Sequence, residues 1–188
     1  EKAQIKFNHI LTELVAELSL LRAPVSQNKK LLKSAIGLRM QDAVYPFYPT
    51  FVTPMAAVAG AVADYMLSIL CENNKLRKAY VNNGGDIAIY IEDNEVFNIG
   101  IITDLKTRAI GGTIAITQID NINGIATSGR HGRSHSLGIA DAVTVLAKNS
   151  AQADAAATLI ANAVDVQDTT LVKKIPANEL YPDSDLAD

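Results

Sequence analysis

Cysteine and histidine are scarce in this chain. One cysteine, Cys71, and three histidines in 188 residues exclude a disulfide framework and any cysteine-rich zinc module. Basic residues are no more abundant than acidic ones: 17 Lys+Arg stand against 20 Asp+Glu, a net charge of −3. With a pI near 5.6 and no basic block, the chain is a poor nucleic-acid binder. Long hydrophobic runs are missing too. No apolar stretch reaches the ~18 residues that a membrane span needs. The first residue is Glu1, and nothing near it has the basic and apolar regions of a signal peptide. The default setting is therefore reduced and cytoplasmic.

What is present is ordinary globular composition. Hydrophobic residues make up 48% and charged residues 20%, enough apolar content to exclude wholesale disorder. The length suits one domain, or two tightly packed halves of one. No short-period repeat and no low-complexity linker divides it.

Apolar periodicity predicts a helix over 4–22, with Phe7, Ile10, Leu11, Leu14, Leu18 and Leu21 on one stripe and Pro24 after its end. This helix reads as packing. A second, less amphipathic helix is expected over 27–43. Pro46, Pro49 and Pro54, with Tyr45, Phe47, Tyr48 and Phe51 among them, then form a stiff connection, because proline lacks the backbone donor and restrains the residue before it. From Met55 a nearly all small or apolar run predicts a buried helix whose Ala/Gly face admits another backbone or a ligand. Strands follow at 79–82, 86–92, 96–103, 113–119, 124–127 and 140–147 on β-branched content and partial alternation. A second alanine-rich helix spans 151–164. The order is helix then strands in the first half, strands then helix in the second. This predicts an α+β fold with largely antiparallel sheets and two loosely related halves, rather than a regular βαβ winding.

Three polar segments interrupt this apolar framework. The first is Asn82-Asn83-Gly84-Gly85-Asp86 between two strands. Its plain reading is a turn that uses positive φ. Its functional reading brings backbone N–H groups against a phosphate or ring, with Asp86 accepting hydrogen bonds from a ligand. The second runs from Thr127 through Ser128, Gly129, Arg130, His131, Gly132, Arg133, Ser134 and His135. It is either a solvated loop or an anion site built from guanidinium forks and backbone donors. One of its arginines could instead pair structurally with Asp141 or Asp154. The third is the helical pair Asp154 and Thr158, four apart and so on one face. A carboxylate and a hydroxyl suit Mg²⁺, which binds oxygen and shares ligand phosphates. The alternative is an aspartate that stabilises a helix dipole. No nucleophile elbow, Walker A loop or HExxH motif is present.

Together, NNGGD, ATSGRxGRS, SLGIADAVTVLA and ADAAATLIANAV resemble the ApbE-like superfamily, whose best-known members are FAD:protein FMN transferases. The likeness is strongest to an uncharacterised branch carrying TPMAAVAGAVAD (residues 53–64) before NNGGD, and it covers roughly residues 14–188. It implies one ApbE-like domain over 1–188, without the N-terminal strands and C-terminal segment of complete members. It also implies FAD as ligand, held in part by the Gly84–Asp86 segment. Mg²⁺ would sit on Asp154, Thr158 and a backbone carbonyl from 55–58, and an acceptor protein would receive FMN on a threonine. The chain departs from the transferases twice. Ala59-Gly60 stands where they usually carry Lys-Gly. Their HxxDPxTG segment corresponds to His135-Ser136-Leu137-Gly138-Ile139-Ala140-Asp141, in which His135 matches the family histidine and Asp141 its aspartate at altered spacing. The competing expectation is a nucleotide or flavin binder that transfers nothing. A purely structural subunit is disfavoured by the three polar segments.

Overall fold

The structure, a computed structural model, describes residues 2–104, 109–132, 136–166 and 170–180. It is an α+β arrangement in which every strand pair is antiparallel. In chain order come helices α1 (Lys2–Ala16), α2 (Leu18–Leu21), α3 (Ala35–Val44) and α4 (Val58–Cys71). Strands β1 (Lys78–Asn83), β2 (Asp86–Ile91), β3 (Phe97–Asp104), β4 (Ala109–Ile116), β5 (Gly124–Ser128) and β6 (Val143–Ala147) follow. Helix α5 (Ser150–Ala163) and the short α6 (Ala177–Leu180) close the described chain. Four strands form one sheet in the order β1-β2-β5-β6, while β3 and β4 pair as a separate hairpin.

Strand alternation decides the layers. On β2 and β5, Ala88 and Ala126 face the helices, packing against Ala63 and Leu67 of α4 and against Ala153 and Ala157 of α5. Their neighbours Ile87, Ile89 and Ile125 face the other way, onto Phe97, Ile99, Ile114 and Ile116 of the hairpin. Small residues on one side of the sheet let α4 and α5 lie close; branched ones on the other fill the gap to the hairpin. On their other side, α4 and α5 close a larger core in which Ala61, Ala151 and Ala155 meet Ile10, Leu21, Ile36, Met40 and Val44. Leu21, Ile36 and Met40 are fully enclosed, each worth about 1.5–3 kcal/mol of burial.

Several expected boundaries shift for identifiable reasons. The first helix breaks at Glu17, whose carboxylate leaves the helix to accept the backbone N–H groups of Lys33 and Ser34 and the Ser34 hydroxyl. Of the apolar stripe, Ile10 and Leu21 are buried while Phe7 and Leu11 are exposed. Helix α3 begins at Ala35 rather than at 27, because Ser34 is its N-cap and accepts the Gly37 N–H at 3.0 Å. Upstream, Gln41 clamps Lys30 by accepting its N–H and donating to its carbonyl, which holds that stretch out of the helix. Strand β4 stops at Ile116, where Thr117 and Asp120 form a capping box around a 3₁₀ turn. Residues 140–142 do not join β6: the chain entering them is held elsewhere, the Ile139 N–H donating to the Val164 carbonyl and the Ala140 carbonyl accepting the Arg130 N–H.

One expectation needs correcting. A 3₁₀ turn, Pro54–Ala57, runs directly into α4, and the 18 residues Pro54–Cys71 have a mean hydropathy of 1.6. By length and composition this helix is long and apolar enough to cross a membrane, contrary to the expectation that no run reaches that length. Here it is the central helix of the fold, packed against α3, α5, β1 and β2.

Candidate functional site

The turn between β1 and β2 supplies the first group. Gly84 and Gly85 adopt φ of 72° and 117°, a region that glycine enters without steric cost. The Gly85 N–H donates to Asn82 Oδ1 at 2.9 Å, and Asn83 Nδ2 donates to the Ala59 carbonyl at 3.1 Å. The turn is thus tied to the start of α4. Asp86, the first residue of β2, shares the helix-facing side of that strand with Ala88. The β2–β5 ladder consists of Ile87↔Ile125 and Ala88↔Gly124. Just beyond it, the Asp86 carboxylate accepts the Thr127 N–H. Burial pushes Asp86 up to about 6, against the pull of that single donor.

Asp154 lies one turn into α5. Its Oδ2 accepts the Gly60 N–H at 3.0 Å, and the Ala59 N–H donates to the same carboxylate. Asp154 therefore does act at a helix N-terminus, but at that of α4, which has no side-chain cap from its own N-cap residue, Ala57. Burial pushes Asp154 up to about 7, and the neighbouring Asp86 charge pushes the same way. Two carboxylates from segments far apart in sequence are thus close enough for the charge of one to raise the other, in a half-buried place. Thr158 follows Asp154 by one turn and is half-buried.

A third carboxylate, absent from the sequence expectations, completes the arrangement. Asp64 of α4 accepts the Ser150 N–H on Oδ1 and the Ala151 N–H on Oδ2, both at 2.9 Å. The two helices touch here because Gly60 has no side chain. A Cβ at that position would meet the Ser150 carbonyl oxygen at 2.3 Å. From the other side, Gly124 lets β5 approach Asn149 equally closely. Burial raises Asp64, while the two amides and the charge of Arg39 lower it. The signal that would have found Asp64 is a spaced echo: Gly60-Ala-x-Ala-Asp64-x-x-x-Ser68 recurs ninety positions on as Ser150-Ala-x-Ala-Asp154-x-x-x-Thr158.

The second polar segment joins this place only in part. Thr127 meets Asp86 through its backbone, while its hydroxyl pairs with that of Thr144 on β6 at 2.8 Å. Ser128 is half-buried, and Gly129 packs on the Asp141 carbonyl, which a Cβ would meet at 2.4 Å. Arg130 Nε donates to Asp141 Oδ1 at 2.7 Å, and His131 Nε2 lies 3.2 Å from the same oxygen. Asp141 is thereby held below the usual carboxylate range. Arg133, Ser134 and His135 lie outside the described residues.

The donor set bears on which cation the place could take. Among the described residues, no three of His, Cys, Asp or Glu gather as metal ligands. Asp86 and Asp154 offer two carboxylates with neutral oxygens nearby. That composition suits a hard cation that keeps waters and shares an anionic ligand, rather than zinc or another thiolate- or imidazole-seeking metal.

A family model described as "AbpE bacteria" matches residues 1–188. Among curated proteins, the chain is 42% identical over 113 residues to a UPF0280 protein of Methanocaldococcus jannaschii, covering 60% of this chain and 45% of that one. It is 40% identical over 112 residues to a UPF0280 protein of Methanococcus vannielii, covering 59% and 45%. It is 39% identical over 115 residues to one of Methanopyrus kandleri, covering 61% and 44%. The matched stretch spans a little under half the length of these relatives.

Proposed function

The chain belongs to that AbpE family, and on this premise we propose that it is a Mg²⁺-dependent flavin-nucleotide-binding protein of the ApbE-like type. The observation that carries the reading is the approach of Asp86, on the helix-facing side of β2, to Asp154 on α5, two carboxylates raised to about 6 and about 7. Near pH 7 both lose protons into a half-buried place whose fixed donors are backbone N–H groups. A divalent cation would relieve that charge. Asp154 and Thr158 would hold it, together with a carbonyl from the turn ahead of α4. When bound, Mg²⁺ would neutralise the diphosphate of FAD and polarise it as a Lewis acid. Gly84, at the exposed tip of the β1–β2 turn, would offer its backbone N–H, the Gly85 N–H being held by Asn82 Oδ1, and Ser128 would bring a hydroxyl from β5.

If the protein is a transferase, a threonine hydroxyl of an acceptor protein attacks the FMN-side phosphorus of FAD. The diphosphate bond breaks, AMP leaves and the hydroxyl proton is lost to solvent or a base. A second reading, binding without transfer, draws on a specific observation. The Arg130 guanidinium already serves Asp141, and Ala59 places no cation at the start of α4.

The test is calorimetric titration of FAD with and without MgCl₂, followed by mass spectrometry of the protein and of an acceptor peptide. Mg²⁺-dependent FAD binding supports the site. Release of AMP with an FMN-modified peptide supports transfer, and FAD recovered intact supports the binder. FAD binding that is indifferent to MgCl₂ and to Asp154→Ala refutes the Mg²⁺ site.

A further inference from the structure

We infer that Asp64 is a positioning residue: through its grip on the first turn of α5 it sets where the Asp154 carboxylate stands. The inference rests on the proposed Mg²⁺ site in giving that position a purpose. Its basis is a reciprocal arrangement. Asp64, on α4, binds the N–H groups of Ser150 and Ala151 in the first turn of α5. Asp154, on α5, binds the N–H of Gly60 in the first turn of α4, and that of Ala59 just before it. In each helix the carboxylate lies four residues beyond the first-turn residue that its counterpart holds, which is one turn further along the same face. Each helix therefore carries, one turn apart, the amide that the other grips and the acid that grips the other.

Helix capping alone does not account for Asp64. Helix α5 has a local N-cap in Asn149, whose Oδ1 accepts the Gln152 N–H at 2.8 Å. Asp64 serves the two amides that Asn149 leaves over, and it reaches them from another helix. Both oxygens of one rigid, planar group are used, so the bonds fix the rotation of α5 about its axis as well as its distance. At the crossing, Gly60 lies against the Ser150 carbonyl, which leaves no slack for a slide without loss of contact. Rotation of α5 would carry Asp154, four residues on, away from Gly60 and from Asp86. An oxygen ligand displaced by half an ångström loses much of its value to a small cation of strict geometry.

The experiment uses the whole chain and three variants: Asp64→Asn, Asp64→Glu and, as a capping control, Asn149→Ala. Asparagine keeps the size of the side chain but can accept only one of the two amides. Glutamate keeps both oxygens and moves them outward by one methylene. Two quantities are read well below the melting temperature: the MgCl₂ affinity by calorimetry, and the position and hydrogen-exchange protection of the Gly60 amide by NMR. Expected for either Asp64 variant is a tenfold or greater loss of Mg²⁺ affinity together with a moved, less protected Gly60 amide. Asn149→Ala should lower the melting temperature and leave both quantities as in the parent. A folded Asp64 variant that perturbs only the Ser150 and Ala151 amides, with Gly60 and the Mg²⁺ affinity unchanged, overturns the inference. Should the parent chain bind no Mg²⁺, the proposed function fails. The Gly60 amide then decides the positioning role alone: moved in the Asp64 variants supports it, unmoved refutes it.

Discussion

Replacing Asp154 with asparagine separates the cost of a buried charge from its use. Asparagine has the size of a protonated aspartic acid and can still accept the Gly60 N–H. It therefore approximates the folded protein with Asp154 neutral. In the parent, Asp154 rises from 3.8 to about 7 on folding. The sign of the linkage follows: between those values the folded state holds a proton that the unfolded state has lost, so stability falls as pH climbs from about 4 to about 7 and is level above. Each tenfold step in a protonation constant is worth ~1.4 kcal/mol. The penalty is about 1.6 kcal/mol at pH 5 and about 4 kcal/mol at pH 8 by that conversion. Asp154→Asn should thus be more stable than the parent in EDTA at pH 8, and its advantage should widen by roughly 2–3 kcal/mol between pH 5 and pH 8. In a chain of this size that is about 5–10 °C in melting temperature. Mg²⁺ should reverse the order. At a hundred times its dissociation constant a ligand adds ~2.7 kcal/mol to the state that binds it, and only the parent keeps the carboxylate. Urea unfolding followed by circular dichroism at pH 5, 6.5 and 8, in EDTA and in MgCl₂, reads all of this. An asparagine variant less stable than the parent at pH 8 in EDTA, or equally stabilised by MgCl₂, would refute the reasoning.

Three further outcomes are expected. Gly60→Ala drives a Cβ into the Ser150 backbone at 2.3 Å, where nothing flexible can yield. It should cost at least the ~1–3 kcal/mol of an overpacked core, measured by denaturant midpoint, whereas an unchanged midpoint would show that α4 and α5 are not in contact. Ser34→Ala removes the N-cap of α3 and should lower stability by about 1 kcal/mol, with loss of helical signal at the midpoint. Arg130→Lys keeps the charge and the exposed pairing with Asp141, so its melting temperature should barely move. If the guanidinium turns from Asp141 to a ligand diphosphate, FAD affinity should fall while riboflavin affinity stays level in a fluorescence titration; equal losses for both ligands, or none, would leave Arg130 a structural partner of Asp141.

Periodicity made the α+β class legible, along with both alanine-rich helices and most strands, because each of those elements repeats its own pattern over several residues. It failed where a side chain from elsewhere intervenes. Glu17 cuts the first helix by turning to Ser34, and Gln41 keeps residues near Lys30 extended; neither partner is close in sequence. The same distance hid Asp64. As an isolated residue in an apolar run it carries no signal, and only the later helix explains it. Asp86 and Asp154 were readable as candidates from motif and resemblance, but their mutual approach comes from the antiparallel sheet that carries β2 beneath α5. The sequence left the loop arginines three partners, ligand phosphate, Asp141 or Asp154, and the structure places Arg130 on Asp141.

The bond from Asp64 to Ser150 also has a kinetic meaning. Residues 78–147, every strand of both sheets, lie in the loop of chain that this contact closes. Closing it carries a loop entropy that the strands must first offset by pairing. The lock between α4 and α5 is therefore expected to form late, after the sheet exists to support it, so Asp64→Asn should speed unfolding more than it slows refolding in stopped-flow denaturant jumps. Interactions that form after the transition state hold back unfolding more than they speed folding. On that reading, a carboxylate inferred to orient the site would also lengthen the lifetime of the assembled fold.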